Sequence, residues 1–304
     1  MKKLITLLLL VILSLSITAC APADAPLVDT TERATEAPTD TEPPKEEYKT
    51  ALSLKGAEKI LSAEQESIKM ENVAAYTLTM KVGATERSFR ITAPLDYMHK
   101  EYPCVLYFPE TRPAHEYDAS IFVKKGYVCF GFSYMNVFDG DFEAEMAYLG
   151  ELLEKCSFIK RDAVFVTGSS TGSIRAFLCA KVMGERIKGV CTANSLCDLT
   201  SQYYVNETSK NVCTQICGGS PTEAAEAYER LSAKAFADKI PCPVLLISYA
   251  NNPTFPISMC NDMKAALESA GTECTVFPVK EAGADFYNEE VKGALFDFFE
   301  ELQG

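Results

Sequence analysis

The stretch that decides the fold is Asp162–Leu178, which reads DAVFVTGSSTGSIRAFL. Its first part is a short apolar run typical of a buried strand, and its last part has the composition of a buried helix. Between them lies a G-x-S-x-G pattern, Gly168-Ser-Ser170-Thr-Gly172. A strand that turns directly into a helix around a serine needs flanking glycines, because side chains there would clash with the adjoining strand and helix. The pattern therefore predicts a sharp turn that presents the Ser170 hydroxyl.

Strand-like and helix-like segments alternate on both sides of this turn. Two strands joined by a turn at 83–85 are predicted over 73–92, and later strands over 104–108, 127–134, 163–167, 188–194, 244–249 and 275–279. Helices are predicted over about 115–125, 141–155, 171–183 and 257–270, with a last helix to about residue 300. Such alternation predicts an α/β fold with a mostly parallel central sheet and helices on both faces.

One long insertion, residues 198–240, interrupts the alternation. It follows the predicted strand over 188–194, so it is expected near the carboxyl ends of the strands, where α/β proteins bind ligands. Within it, Ser220-Pro-Thr-Glu223 has the pattern of a capping box and predicts a helix that starts at Pro221. We interpret the insertion as a small cap over the site.

The amino terminus carries a targeting signal. Lys2 and Lys3 precede an apolar run, Leu4–Ile17, that is short for a membrane span. The run ends in Ile17-Thr-Ala-Cys20, which resembles the bacterial lipobox. That resemblance implies a signal peptide over 1–19 and lipidation of Cys20, hence a protein held on membrane lipid and facing the extracytoplasmic side. Residues 20–48 are acidic and rich in Thr, Glu and Pro, as expected of a disordered tether, and the folded domain is predicted over 49–304.

Composition excludes some functions. The formal net charge of −13 leaves no basic surface for phosphate, so we expect no nucleic-acid partner. Eleven cysteines follow Cys20, several of them inside apolar runs, where we expect buried thiols. Cys213 and Cys217 have the spacing of half a zinc site, but no histidine lies near them in the sequence. We predict no metal and no cofactor.

The body from about 73 to 302 resembles the α/β-hydrolase superfamily, with its closest likeness to the prolyl-oligopeptidase, dienelactone-hydrolase and acetyl- or feruloyl-esterase branch. Besides the G-x-S-x-G turn, the matching segments are Lys125–Tyr127, Ile159–Asp162, Ser195–Thr200, Ile240–Ile247 and Phe255–Ser258. The resemblance implies that Ser170 occupies the nucleophile position and that the Thr171 N–H stabilises an oxyanion. An acid and then a histidine should follow Ser170 along the chain.

The chain departs from the family pattern at the other functional positions. Asn252 stands where the family has its acid, and Ala284 stands where it has its histidine. The usual His-Gly-Gly oxyanion loop is replaced by Phe108-Pro-Glu-Thr111. No histidine occurs after residue 115, so a shift of the alignment does not restore the triad.

Two readings follow for the chemistry. A serine hydroxyl without a base is a poor nucleophile, which favours a non-catalytic or weakly active protein that keeps a binding pocket. The alternative is an active esterase or peptidase in which His115 serves as the base, oriented by Asp118, Asp198 or Asp285. His99, in a polar connection, is expected to be exposed.

The resemblance implies small molecules, peptides or acylated glycans as ligands. Tyr203, Tyr204 and Tyr249 are placed near the expected pocket mouth, where they would either stack on a ligand or simply pack. A purely structural surface scaffold is a third possibility, without a positive signature in the sequence.

Overall fold

The computed structural model describes residues 60–66, 70–110, 116–132, 141–249, 251–280, 286 and 288–304. The predicted signal peptide, Cys20 and the tether lie outside the described residues, as do His115, Ala284 and Asp285. Within the described part of the chain, no helix has the length and apolar character needed to cross a membrane.

Nine strands form one sheet in the order β1-β2-β3-β5-β4-β6-β7-β8-β9. Their bounds are β1 Ile60–Glu66, β2 Val73–Val82, β3 Thr85–Pro94, β4 Tyr102–Phe108, β5 Val128–Phe132, β6 Ile159–Ser169, β7 Gly189–Ala193, β8 Val244–Tyr249 and β9 Cys274–Val279.

The sheet is mixed but mostly parallel, as the sequence predicts. Strands β4 to β9 pair in parallel with one another, whereas β1, β2 and β3 form antiparallel ladders, the last of them against β5. β1 is absent from the sequence-based assignment because its residues, ILSAEQE, lack a regular apolar alternation. It lies at the edge of the sheet and pairs with β2 alone.

Eight α-helices occur among the described residues. They are α1 Glu116–Val123, α2 Asp141–Lys155, α3 Thr171–Met183, α4 Leu199–Tyr203, α5 Glu207–Cys217, α6 Ala225–Leu231, α7 Ile257–Ser269 and α8 Glu289–Gln303, with short 3-10 helices at Tyr97–His99, Gly184–Arg186 and Ala233–Lys239.

Helices cover both faces of the sheet. Successive residues of a strand point to opposite faces, so Leu106 of β4 joins one core while Val105 and Tyr107 join the other. The first core contains residues of α2, α3 and α7, and the second contains residues of α1 and α8. The parallel strands inside the sheet are therefore largely buried between helical layers, which explains why they read as apolar runs, whereas the edge strand β9 is partly exposed.

The insertion after β7 is helical, with α4, α5, α6 and the 3-10 helix at Ala233–Lys239. The predicted helix start at Pro221 is wrong. The Ser220 N–H donates to the Glu223 carboxylate at 2.9 Å, as in a capping box, but α6 begins only at Ala225. The Glu223 and Ala224 amides both donate to the Ser220 carbonyl, which closes a turn ahead of the helix.

The eleven cysteines of the described body are buried as free thiols, which confirms the expected burial. Burial raises the pKa of both the Cys156 and the Cys242 thiol to about 12. Because the thiolate is the nucleophilic form, these two thiols are unreactive in the folded state.

The strand order determines where a ligand site is expected. From β4 the chain goes first to β5 on one side and then to β6 on the other, so the order reverses beside β4. In open α/β sheets such a reversal opens a crevice at the carboxyl ends of the strands. The carboxyl ends of β4 and β6 meet there, with Phe108 in register with Gly168.

Candidate active site

Ser170 lies in the crevice, between the last residue of β6 and the first residue of α3. Its backbone has φ 50° and ψ −122°, one of three positive φ values among the described non-glycine residues. A non-glycine residue in such a conformation costs roughly 1–3 kcal/mol and persists only where its surroundings enforce it. The Ser170 N–H donates to the Ala193 carbonyl at 3.0 Å, which ties the turn to the end of β7.

Both glycines of the pattern are sterically required. A Cβ atom at Gly168 would lie 2.5 Å from the Gly172 carbonyl oxygen, and one at Gly172 would lie 2.1 Å from the Phe108 carbonyl oxygen. The turn is therefore in direct contact with the end of β4. This is the sharp strand-to-helix geometry that the sequence predicts.

The Ser170 side chain is nearly buried, with 7% of the residue exposed. Its hydroxyl has no hydrogen-bond partner among the described residues, whereas its carbonyl accepts from the Ser173 N–H and hydroxyl. The hydroxyl stands at the amino terminus of α3, a helix of 13 residues whose dipole favours negative charge at that end. The position suits polarisation of a bound carbonyl or anionic oxygen.

The segment after β4 is fixed to α3 by a buried cation. Arg175, 1% exposed, donates from Nη2 to the Pro109 carbonyl at 2.8 Å and to the Glu110 carbonyl at 3.1 Å. The Thr171 hydroxyl donates to the same Glu110 carbonyl at 2.6 Å. Pro109 has no N–H to offer an oxyanion. This segment is thus held rigidly beside the turn.

Asn252, the residue that the resemblance in the sequence assigns to the acid position, uses its side-chain amide for structural contacts. Its Oδ1 accepts from the Thr254 N–H at 2.9 Å and the Phe255 N–H at 3.1 Å. Its Nδ2 donates to Asn194 Oδ1 at 3.3 Å. Asn194 follows β7 directly, so this contact joins the ends of β7 and β8.

The cap holds the same loop from the other side. Gln202 of α4 is buried and donates from Nε2 to the Thr254 carbonyl at 2.6 Å and to the Ser209 hydroxyl at 2.8 Å. Asn206 donates to the Pro253 carbonyl at 3.3 Å. The side-chain amides of Gln202 and Asn206 thus order the loop that contains Asn252.

Asp198, a suggested alternative acid, is the N-cap of α4. Its carboxylate accepts from the Ser201 N–H at 3.0 Å and hydroxyl at 2.8 Å, and Lys234 Nζ lies 3.2 Å away. Burial opposes its ionisation, but the hydrogen bonds from Ser201 and Lys234 outweigh that effect and lower the pKa of Asp198 below its usual value. Asp198 therefore stays ionised and occupied at neutral pH.

The sequence has two histidines, and the structure describes one of them, His99. His99 is exposed, as expected, in the 3-10 helix that leads into β4, at the end of that strand opposite to Phe108. His115, Ala284 and Asp285 lie outside the described residues, and of Asp118 only the backbone position in α1 is described. No imidazole is close to Ser170 among the residues that the structure describes.

Two of the three tyrosines singled out from the sequence lie in the cap. Tyr204 is 70% exposed, and its ring is 5.0 Å from that of Tyr203, which in turn contacts Tyr228 at 6.1 Å. Tyr249, the last residue of β8, packs against the core beneath α8. Of the three, only Tyr204 presents a free aromatic face.

Sequence reasoning missed three residues that shape the site, Arg175, Asn194 and Gln202. Only Arg175 had a visible signal, since a charged residue within the apolar helix Ile174–Ala180 requires buried partners. The other two are ordinary polar residues whose roles come from chain segments far apart in sequence. Across the described residues, no group of three or more His, Cys, Asp or Glu side chains is placed to hold a metal ion.

Comparison with known proteins yields no matching family model. Over 96 residues, 32% of this chain, the sequence is 27% identical to the uncharacterized peptidase YtmA of Bacillus subtilis (strain 168), and the match spans only 37% of that protein.

Solved structures give a broader likeness. Acetyl xylan esterase 1 from a Thermoanaerobacterium species aligns with a TM-score of 0.66 at 13% identity, over 85% of this chain and 93% of that one. The acylaminoacyl peptidase of Pyrococcus horikoshii aligns with a TM-score of 0.64 at 16% identity, over 77% of this chain and 42% of that one. At these identities the likeness is one of fold.

Proposed function

The chain has the α/β-hydrolase fold, and from this premise we propose that it is a ligand-binding hydrolase-like protein with little or no turnover at Ser170. The proposal is carried by a contrast between two side chains. The Ser170 hydroxyl has no hydrogen-bond partner among the described residues. The Asn252 amide makes hydrogen bonds that hold its own loop and join it to Asn194. The sequence adds Ala284 at the position that the resemblance assigns to histidine.

Proton transfer is the step that this arrangement lacks. A serine hydroxyl attacks a carbonyl usefully only when a base within hydrogen-bond reach takes its proton. Loss of a triad histidine lowers turnover by roughly 10⁶ in a serine protease. Binding is less affected, because the helix terminus at Thr171 and the crevice beside Phe108 do not depend on a base.

The ligand class follows from the structural relatives and remains part of the proposal. An acetyl xylan esterase and an acylaminoacyl peptidase share the fold, and their names point to acylated glycans and acylated peptides. Each class carries a carbonyl that the amino terminus of α3 would polarise. Tyr204, exposed on the cap, offers a surface for stacking on a sugar or a side chain.

The experiment pairs binding with turnover. Acetylated xylo-oligosaccharides and N-acylated dipeptides are added to the full-length chain, and hydrogen–deuterium exchange and product are measured together. We expect protection in residues 168–175 and 251–256 with no product above that of the Ser170→Ala variant. Ser170-dependent product at enzymatic rates, or no protection there with any of these ligands, would contradict the proposal.

The competing candidate is an active serine hydrolase with His115 as base. The observation in its favour is that β4 ends beside the turn and that residue 115 belongs to the connection from β4 to α1. Labelling with a fluorophosphonate separates the two candidates. Labelling that is lost in both Ser170→Ala and His115→Ala supports the active enzyme, whereas an unlabelled wild-type chain supports the binder.

We further propose that the protein is anchored on the extracytoplasmic face of the membrane by lipid on Cys20. The lipobox resemblance at Ile17–Cys20 supports this location. In cells grown with a fatty-acid tracer, the wild-type chain should carry the tracer and sediment with membranes, and Cys20→Ala should not carry it. An unlabelled, freely soluble wild-type chain would overturn the anchoring.

A further inference from the structure

A separate pocket lies within the cap. Its cavity volume is about 460 Å³, and all of its lining residues, which do not include Ser170, belong to the insertion over 198–240. Pockets that bind small molecules commonly have volumes of roughly 300–1,000 Å³. The size therefore fits a small metabolite.

The walls of this pocket, which we call the cap pocket, are fixed by internal hydrogen bonds. The Leu199 N–H donates to the Ser232 hydroxyl at 2.9 Å, and the Lys234 N–H donates to the Cys197 carbonyl at 3.0 Å. Tyr228, a buried residue in the middle of α6, donates from its hydroxyl to the Gly219 carbonyl at 3.1 Å. A pocket ordered in advance binds a ligand without the entropic cost of arranging its walls.

The cap pocket presents one positive charge in a fixed place. Lys234 Nζ lies 3.2 Å from Asp198 Oδ2, and Asp198 is itself held by the Ser201 N–H and hydroxyl. An ammonium group has three donors, so two remain after the contact with Asp198. Thr200 lines the same pocket, and its side chain carries a hydroxyl that can donate a further hydrogen bond.

It also presents an unused negative charge. Glu229 of α6 lines the pocket, is exposed, and makes no ion pair among the described residues. Its neighbour Arg230 turns towards Glu143 of α2, with 3.5 Å between the charged groups, so it does not neutralise Glu229 within the pocket. Pro221, Ala225 and Ala235 supply small apolar surfaces.

We propose that the cap pocket binds a small zwitterion, of which a free α-amino acid is the simplest. Its carboxylate would accept hydrogen bonds from the Lys234 ammonium and the Thr200 hydroxyl, and its ammonium group would pair with Glu229. The short apolar body would lie against Pro221, Ala225 and Ala235. This site does not depend on Ser170, so it stands or falls independently of the function proposed for the turn.

The test uses the full-length chain and matched ligands. The common α-amino acids are screened singly by thermal shift, and the best binder is compared with its N-acetylated and its amidated derivatives. We expect an increase in melting temperature with the free amino acid. Each derivative lacks one charge and should bind at least tenfold more weakly.

Variants locate the ligand. Lys234→Met and Glu229→Gln should each weaken binding at least tenfold, while Lys239→Met, outside the pocket and paired with Asp238, and Ser170→Ala should leave it unchanged. Ligand-free melting temperatures check that the variants are folded. Hydrogen exchange should show protection in 197–201 and 225–235.

Three results would overturn the inference: no stabilisation by any amino acid at millimolar concentration, equal binding of the blocked derivatives, or protection confined to 168–175. The last result would move the ligand to Ser170 and so support the function proposed for the turn.

Discussion

The turns at Ser170 and Asn252 lie at the carboxyl ends of two strands of the same sheet, β6 and β8, and they are built in opposite ways. At Ser170 the backbone is held in a strained conformation, and the hydroxyl has no hydrogen-bond partner among the described residues. At Asn252 the side-chain oxygen accepts two backbone N–H groups, and the nitrogen donates to Asn194. The first turn presents a hydroxyl without a hydrogen-bond partner among the described residues, and the second uses its side chain for stability.

In the function proposed above, this difference separates the two halves of a hydrolytic site. The half that would hold and polarise a carbonyl, the sharp turn at the amino terminus of α3, is intact. In the half that would move a proton, the resemblance assigns the acid position to Asn252, an amide, and the histidine position to Ala284. We infer a site in which binding is kept and proton transfer is lost.

The strongest way to break this comparison is to restore the missing half. Because the turn is intact, Asn252→Asp combined with Ala284→His should raise Ser170-dependent hydrolysis of an activated ester by about 10²-fold or more, a small part of the roughly 10⁶ that a complete triad supplies. Stopped-flow or plate assays of ester cleavage measure it.

The control is the same double variant with Ser170→Ala, which should return to the wild-type rate. If the folded double variant hydrolyses the ester no faster than the wild type, the turn at Ser170 cannot support hydrolysis even with an acid and a histidine present. The contrast between Ser170 and Asn252 would then say nothing about catalysis.

A pair of glycines tests how tightly the turn is built. Gly172→Ala places a methyl group 2.1 Å from the Phe108 carbonyl oxygen and should destabilise the fold by about 3 kcal/mol or more. Gly293→Ala, also in a helix but with nothing within 4 Å of the new atom, should stabilise by about 0.5–1 kcal/mol. Urea unfolding measures both, and equal effects would contradict the account of the turn.

The structural role of Asn252 predicts a smaller loss. Asn252→Ala removes the acceptor for the Thr254 and Phe255 N–H groups and should cost about 1–2 kcal/mol in unfolding free energy. Asn252→Asp keeps that acceptor and should cost less than the alanine variant. If alanine is as stable as asparagine, the side chain at 252 is not there for stability.

Substitution of Asp198 should have the smallest effect on stability, and that effect should depend on pH. The lowered pKa in the folded state means that its ionised form stabilises the protein above the unfolded pKa, and that this contribution is lost as pH falls through the folded pKa. The stability gap between wild type and Asp198→Asn should therefore be open at pH 7 and close below about pH 4. Asp162→Asn, at an exposed site, is the control. A gap that persists unchanged at pH 3 would count against an ionic role.

Much of the fold could be read from the sequence because the parallel strands are buried on both faces. Composition and periodicity predict both the apolar strand Val244–Tyr249 and the amphipathic helix Asp141–Lys155. Both elements have the expected bounds in the structure. The sequence also predicts the turn at Ser170, because the need for glycine at 168 and 172 arises from steric contacts at the turn.

The remainder depends on contacts between distant segments. Arg175 reaches carbonyls 65 and 66 residues away, and Gln202 reaches Thr254, 52 residues away; no local pattern encodes such partners. The start of α6 was misplaced for a related reason, because Ser220 and Glu223 satisfy a local rule that a turn satisfies equally well.

The most direct test of the central claim is the rate of ester hydrolysis by the purified wild-type chain against that by Ser170→Ala, measured with the same activated acetyl ester. The account predicts equal rates, because no base lies beside the Ser170 hydroxyl among the residues that the structure describes. A wild-type rate that exceeds the variant's by about 10³-fold or more, of the size that a working nucleophile and base provide, would contradict it.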